Sequence, residues 1–270
     1  MGVRTVIMYE LYAFERLCIM QTISLINKKG GVAKTTTALA LAAGLAKAGF
    51  SVLAIDCDAQ ANFSTASGGE QNVVGTFDIL TRKENVNDAV QELPLYDLIG
   101  ADKRLSTIDI ALNKPSREYH LKRALLALKK PYDYCVIDNP PAMNVAVANS
   151  LAASDKVIIC SCAEAFSVNG IMEISATLDD IREFINPALT IDGILITLFN
   201  PRTILGQHQK GQLQRIAEAM GTKVYNTVIR RCNTISVSQS ERKSIFDYKN
   251  TNAALDYGQF LDEFLGGNHG

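Results

Sequence analysis

Short apolar runs alternate along the chain with longer stretches of helical spacing. The runs at 22–26, 50–55 (FSVLAI), 95–101, 132–137, 152–161, 191–199 (IDGILITLF) and 223–229 read as strands buried in a sheet. Between them, 35–47 (TTTALALAAGLAK), 76–80, 116–130 and 203–220 read as helices; in 116–130 the apolar positions 121, 124, 125 and 128 recur at helical spacing. The acidic stretch 255–270 has apolar spacing and reads as a packing helix with a frayed end. Strands alternating with helices predict an α/β fold: a single doubly wound, mostly parallel sheet with helices on both faces. No linker, repeat or low-complexity segment interrupts residues 20–270, which read as one domain.

The connection from the first strand to the first helix carries the most chemistry. It reads Asn27-Lys28-Lys29-Gly30-Gly31-Val32-Ala33-Lys34-Thr35-Thr36-Thr37. In such a turn the backbone N–H groups and the helix N-terminus converge on an anion. Gly30 and Gly31 permit backbone shapes and a close approach that a Cβ hinders. Lys34 supplies positive charge for β- and γ-phosphates, and the Thr35 hydroxyl is a hard oxygen ligand suited to Mg²⁺. The stretch departs from G-x-x-x-x-G-K-[ST] at both glycines, which are Lys28 and Ala33 here. If position 33 requires a positive φ, alanine there costs about 1–2 kcal/mol. Two strand ends add acids. The second strand ends in Asp56-Cys57-Asp58-Ala59-Gln60-Ala61-Asn62, where alternation puts both aspartates on one side at a carboxyl edge. The strand at 132–137 ends in Asp138-Asn139-Pro140-Pro141, whose prolines restrict the segment that follows.

With its extra lysine, K-G-G-x-x-K-[ST] resembles the deviant Walker A motif of the ParA/MinD family of P-loop ATPases, and the chain from Met20 to about residue 265 resembles the ParA/Soj partition branch. The resemblance implies a P-loop NTPase fold, ATP and Mg²⁺ as cofactors, and slow basal hydrolysis by in-line attack of water. It assigns nucleotide binding to Lys29, Gly30, Gly31, Val32, Ala33, Lys34, Thr35 and Thr36, with catalytic roles for Lys29, Lys34 and Asp58. Lys29 would reach across a homodimer that sandwiches ATP. Asp58, in a segment similar to D-x-D-P-Q-x-N with Ala59 for the proline, would orient the attacking water. Thr35, Asp56 and the Walker B acid Asp138 would serve the metal, and Asn139 replaces a commoner Cys or Thr. Residues 164–170 resemble an E-x-x-x-x-x-G turn into a helix. Asn200 stands where relatives place adenine contacts, with a turn cap as its other reading. The implied function is segregation of a plasmid, an integrative element or a chromosome region by an ATP dimer that binds non-specific DNA, stimulated by a ParB-like partner, in the cytoplasm on the nucleoid.

Composition narrows this picture. The chain is 270 residues long, 47% hydrophobic and 20% charged, with net charge −1, so bulk charge attracts no polyanion and any DNA surface is local. Residues 201–250 hold nine Lys or Arg and three acids. Within them Arg230-Arg231 and Arg242-Lys243 flank a Ser/Thr/Asn-rich segment suited to phosphate contact. The matching family segment, P-R-N-V-R-L-S-E-A-P-S, has its second arginine replaced by Thr234, so a plain solvated basic face is the other reading. The six cysteines (18, 57, 135, 160, 162 and 232) form no C-x-x-C pair, which argues against a cluster carrier and fits a reducing cytoplasm. No apolar run reaches the about 18 residues of a membrane span, and an acidic tail is the wrong charge for a membrane-targeting helix, which weakens a MinD-like positioner. A nucleotide-sensing regulator with little hydrolysis stays open on account of Ala33. His120 reads as a helix-surface residue. Residues 1–19, apolar and aromatic without signal-peptide features, read as an extension ahead of a start at Met20, or as a short amphipathic docking helix.

Overall fold

The computed structural model describes residues 20–113, 115–162, 168–200 and 204–266; the expected extension at 1–19 and the first part of the 164–170 turn lie outside them. Strands β1 (Gln21–Ile26), β2 (Val52–Asp56), β3 (Val90–Glu92), β4 (Asp97–Ile99), β5 (Tyr134–Asp138), β6 (Lys156–Cys162), β7 (Thr190–Phe199) and β8 (Val224–Arg230) form one sheet in the order β3-β4-β2-β5-β1-β6-β7-β8. All neighbours run parallel except β3 and β4 at one edge. The helices are α1 (Lys34–Lys47), α2 (Asn62–Ser67), α3 (Thr76–Leu80), α4 (Val86–Ala89), α5 (Ile108–Ala111), α6 (His120–Leu126), α7 (Val145–Ala153), α8 (Val168–Phe184), α9 (Ile204–Ala219), α10 (Thr234–Ser240) and α11 (Asn252–Phe264).

Both faces of the central strands are covered, which is why those strands read as continuous apolar runs. On one face Ile23, Leu25, Ala54 and Val136 pack with Leu41 and Leu45 of α1 and Tyr257 and Phe260 of α11. On the other, Leu53, Ile55 and Ile137 meet Ile79, Leu121 and Ala146 of α3, α6 and α7. Further along that face Ile26, Ile159 and Ile194 meet Leu151, Ile174 and Leu213 of α7, α8 and α9. The doubly wound fold is therefore as expected. β1 lies at the centre, hydrogen-bonded to β5 and β6, so its carboxyl end opens where the strand order reverses, the usual ligand crevice of such sheets.

Gly44 sets how closely α11 approaches α1: a Cβ there would stand 2.9 Å from Leu261 Cδ2. The tail is a packing helix, as its spacing predicts, and its acids have definite partners. Glu263 accepts the N–H groups of Asn226 (2.8 Å) and Thr227 (2.9 Å), which covers the exposed edge strand β8. No helix among the described residues is long and apolar enough to cross a membrane.

Several boundaries differ from the sequence reading. The expected helix at 116–130 is a 3-10 turn, Arg117–Tyr119, followed by α6, which stops at Leu126. His120 is not a free surface residue: its Nδ1 lies 2.6 Å from the Leu80 carbonyl and ties α6 to the end of α3. The strand expected at 95–101 is reduced to β4. Ala152 and Ala153, read as the start of a strand, close helix α7 instead, and the strand begins at Lys156.

Candidate nucleotide site

The turn after β1 is built around an uncapped helix end. Ala33 precedes α1 with φ 58° and ψ 30°, no side chain caps the first turn, and no acid lies in it. Gly31 is also left-handed, at φ 74°, and a Cβ on Gly30 or Gly31 would meet nothing within 4 Å, so this backbone faces open space. A helix end whose N–H groups have no internal partner, beside bare backbone, is a ready anion site. Side chains hold the turn from behind. Asn27 Oδ1 accepts the Lys29 N–H (2.7 Å) while Asn27 Nδ2 donates to the Cys160 carbonyl (2.5 Å). Thr197 Oγ1 donates to the Val32 carbonyl (2.9 Å), and Thr37 Oγ1 to the Ala33 carbonyl (2.8 Å). Ala33 is thus fixed in the strained region that its substitution for glycine suggested. Replacing Ala33 by Gly should raise stability by about 0.5–1 kcal/mol, a gain of about 1–4 °C in thermal midpoint, readable by calorimetry on the nucleotide-free protein.

The two lysines of the loop are in opposite states. Lys34 is only 7% exposed, and its Nζ reaches the Lys29 carbonyl at 3.4 Å. Burial lowers its pKa, opposed by the nearby Asp138, Cys160 and Asp58. Lys29 is exposed at the rim, and its ammonium has no ion-pair partner among the described residues. Lys28, by contrast, pairs with Glu173 at 3.4 Å.

The three acids also separate. Asp138 ends β5, fully buried, and among the described residues neither carboxylate oxygen has a hydrogen-bond partner of normal geometry, although the Thr35 hydroxyl lies beside it. Burial, then the proximity of Asp56, pushes its proton affinity well above the usual carboxylate range, while the Thr35 hydroxyl and Lys34 oppose this. Asp56 is fully buried too but occupied. Its Oδ1 accepts the Asp58 N–H (3.0 Å), and its Oδ2 accepts the Ser64 N–H (2.9 Å) and hydroxyl (2.7 Å). Burial raises its pKa to about 6 against these hydrogen bonds. Asp56 thus holds the turn that carries Asp58, with both of its carboxylate oxygens engaged there. Asp58 lines the cleft together with Gln60, Asn62 and residues Gly30 to Thr36, and its Oδ1 accepts the Gln60 N–H at 3.0 Å.

Four residues of α10 absent from the expected site line the same cleft, Ile235, Ser236, Gln239 and Ser240. Gln239 Nε2 donates to Thr36 Oγ1 at 3.1 Å. Asn200, the expected adenine contact, is exposed just past β7, and Leu198 rather than Asn200 lines the cleft. The expected basic face is divided. Arg230 grips Asp256 of α11 through Nε and Nη2 (2.6–3.1 Å), which raises its pKa while its side chain stays 37% exposed. Lys243 pairs with Glu241 at 2.8 Å. Arg242 is exposed, with no side-chain partner among the described residues, and Arg231 flanks it across α10 in sequence.

The residues present fit Mg²⁺ with a nucleotide. Asp138 is a pair of orphaned acceptors at the strand end beside the Thr35 hydroxyl, and a hydrated cation supplies the donors those oxygens lack. Among the described residues no cluster of three or more His, Cys, Asp and Glu side chains is placed to hold a metal ion.

Comparison with known proteins agrees with this geometry. A family model described as an AAA domain matches residues 20–191. The chromosome partitioning protein ParA of Caulobacter vibrioides is 36% identical over 237 residues, covering 85% of this chain and 87% of that protein. A plasmid partition protein of Borrelia burgdorferi, crystallised with AMPPNP, superposes with TM-score 0.80 at 25% identity over 92% of this chain and 99% of that one. Cobyrinic acid a,c-diamide synthase of Mycobacterium smegmatis, solved with an ATP analogue and magnesium, gives 0.78 at 27% identity over 92% and 95%. The chain belongs to the ParA/Soj family of P-loop ATPases.

Proposed function

We propose that this protein is a Mg²⁺-dependent ATPase that dimerises on ATP, binds non-specific DNA as the dimer, and helps segregate a replicon. The observation that carries this reading is the contrast between the buried Lys34 and the exposed, unpartnered Lys29 on one loop. An ammonium held inside serves the phosphates bound by its own chain. A second one at the rim, held by its backbone but not by its side chain, is placed for a phosphate presented from outside.

The residues then divide the work. The uncapped N-terminus of α1 and Lys34 receive the phosphates, Thr35 and Asp138 hold the hydrated metal, and Asp58 at the cleft edge orients water. Bound Mg²⁺ would neutralise charge developing on the phosphates. The reading includes a slow basal rate that a ParB-like partner raises. Arg242, exposed and with no side-chain partner among the described residues, is the cation best placed for DNA, while Arg230 also holds α11. The packing of Tyr257, Phe260 and Phe264 into the core leaves the apolar side of α11 unavailable to a membrane, which disfavours a MinD-like positioner.

Lys29→Gln tests the reading. The variant should keep ATP binding within about threefold of wild type yet fail to form ATP-dependent dimers by light scattering. Intact dimers would contradict the role given to Lys29.

A further inference from the structure

Beside the nucleotide cleft lies a second, partly open cavity of about 120 Å³. Its floor is the small-residue side of α1, at Ala40 and Ala43. One wall is the 93–96 segment and the other is α10 with the turn that follows it. The apolar lining is substantial, and Leu95 at its edge is 41% exposed. Among the described residues no acidic side chain lines the cavity, although the chain as a whole is slightly acidic; its charged lining is Arg242 and Lys243.

Arg242 stands out within this lining. Its φ is 53°, at the left-handed position after α10, where the Lys243 N–H closes back on the Ser238 carbonyl at 2.9 Å. Glycine is the usual residue at such a helix terminus. Lys243 already has Glu241, whereas the Arg242 guanidinium has no partner among the described residues. An arginine held where glycine is favoured, unpaired, at the mouth of an acid-free apolar cavity, is a strained residue at a place where strain accompanies binding. Water fills apolar space poorly, and a cation there calls for a counter-charge.

We propose that this cavity binds a small amphipathic anion, its apolar body against α1 and Leu95 and its acid group on Arg242. The inference rests on the cavity and not on the DNA reading. Its occupant would touch α2, which follows Asp58, and α10, whose Gln239 is hydrogen-bonded to Thr36. Occupancy is thereby linked to the nucleotide cleft, which shares Thr36, Ala66, Ile235 and Gln239 with this cavity.

The test titrates anilinonaphthalene sulfonate into the full chain held with saturating Mg-ADP. We expect one saturable site, displaced by decanoate but not by neutral decanol. Arg242→Gly relaxes the left-handed turn, so it should melt no lower than wild type while weakening the probe by about tenfold. Leu95→Ser should weaken it several-fold. Probe affinity unchanged in both variants, or equal displacement by decanol, would overturn the proposal. So would capture of the protein by anionic-lipid vesicles with no displacement of the probe by free decanoate.

Discussion

Asp138→Asn should make the nucleotide-free protein more stable and nearly inactive. The expected gain is about 2 kcal/mol, or about 4–8 °C in thermal midpoint, with ATP hydrolysis falling at least about a hundredfold. The cause is the fully buried carboxylate, with the Thr35 hydroxyl beside it and no hydrogen-bond partner of normal geometry among the described residues. Folding without ligand must either bury its charge or take up a proton. Because burial raises the folded proton affinity, the contribution of this group is complete below the ordinary carboxylate pKa of about 4 and is lost as pH rises through the folded value. The advantage of the asparagine variant should therefore widen from about pH 4 upward. Mg-ATP should reverse the order, stabilising wild type more than the variant. Melting curves with pH, with and without Mg-ATP, check both halves. A variant that melts lower than wild type at neutral pH without nucleotide would show that Asp138 stabilises the fold and is not held ready for a cation.

Lys34→Ala should lose Mg-ATP affinity by about a hundredfold, close to 3 kcal/mol, with the fold kept. The ammonium is enclosed at 7% exposure with only one long contact to the Lys29 carbonyl, and burial lowers its pKa. Such a group costs stability unless an anion meets it. The nucleotide-free variant should accordingly melt at or above the wild-type temperature, offset in part by the lost packing of the side-chain stem. Calorimetric titration with Mg-ATP measures the affinity. Binding as tight as wild type would remove the loop assignment.

The sheet was legible in the chain because its parallel strands are enclosed on both faces and appear as plain apolar runs. So was the loop, because Gly30, Gly31, Lys34 and Thr35 occur together at fixed spacing between a strand and a helix. What escaped depended on distant partners. Helix α10 (TISVSQS) has no apolar period, and it is stabilised by contacts such as that of Gln239 with Thr36, far away in sequence. The ion pair of Arg230 was not legible because its acid, Asp256, lies on a helix that comes later in the chain. Alternation placed Asp56 and Asp58 together, but nothing local shows that Ser64 claims Asp56 and leaves Asp58 to the cleft. Helix α7 (VAVANSLAA) is apolar nearly all round because it is buried against both the sheet and its neighbouring helices, which erases the helical stripe.

The most direct test of the central claim is binding of the full chain to non-specific duplex DNA at moderate salt, with Mg-ATP, with Mg-ADP and without nucleotide. Binding confined to the Mg-ATP state, and weakening steeply as salt rises, is the predicted result. Equal binding in all three states, or none in any, would contradict an ATP-switched DNA-binding dimer.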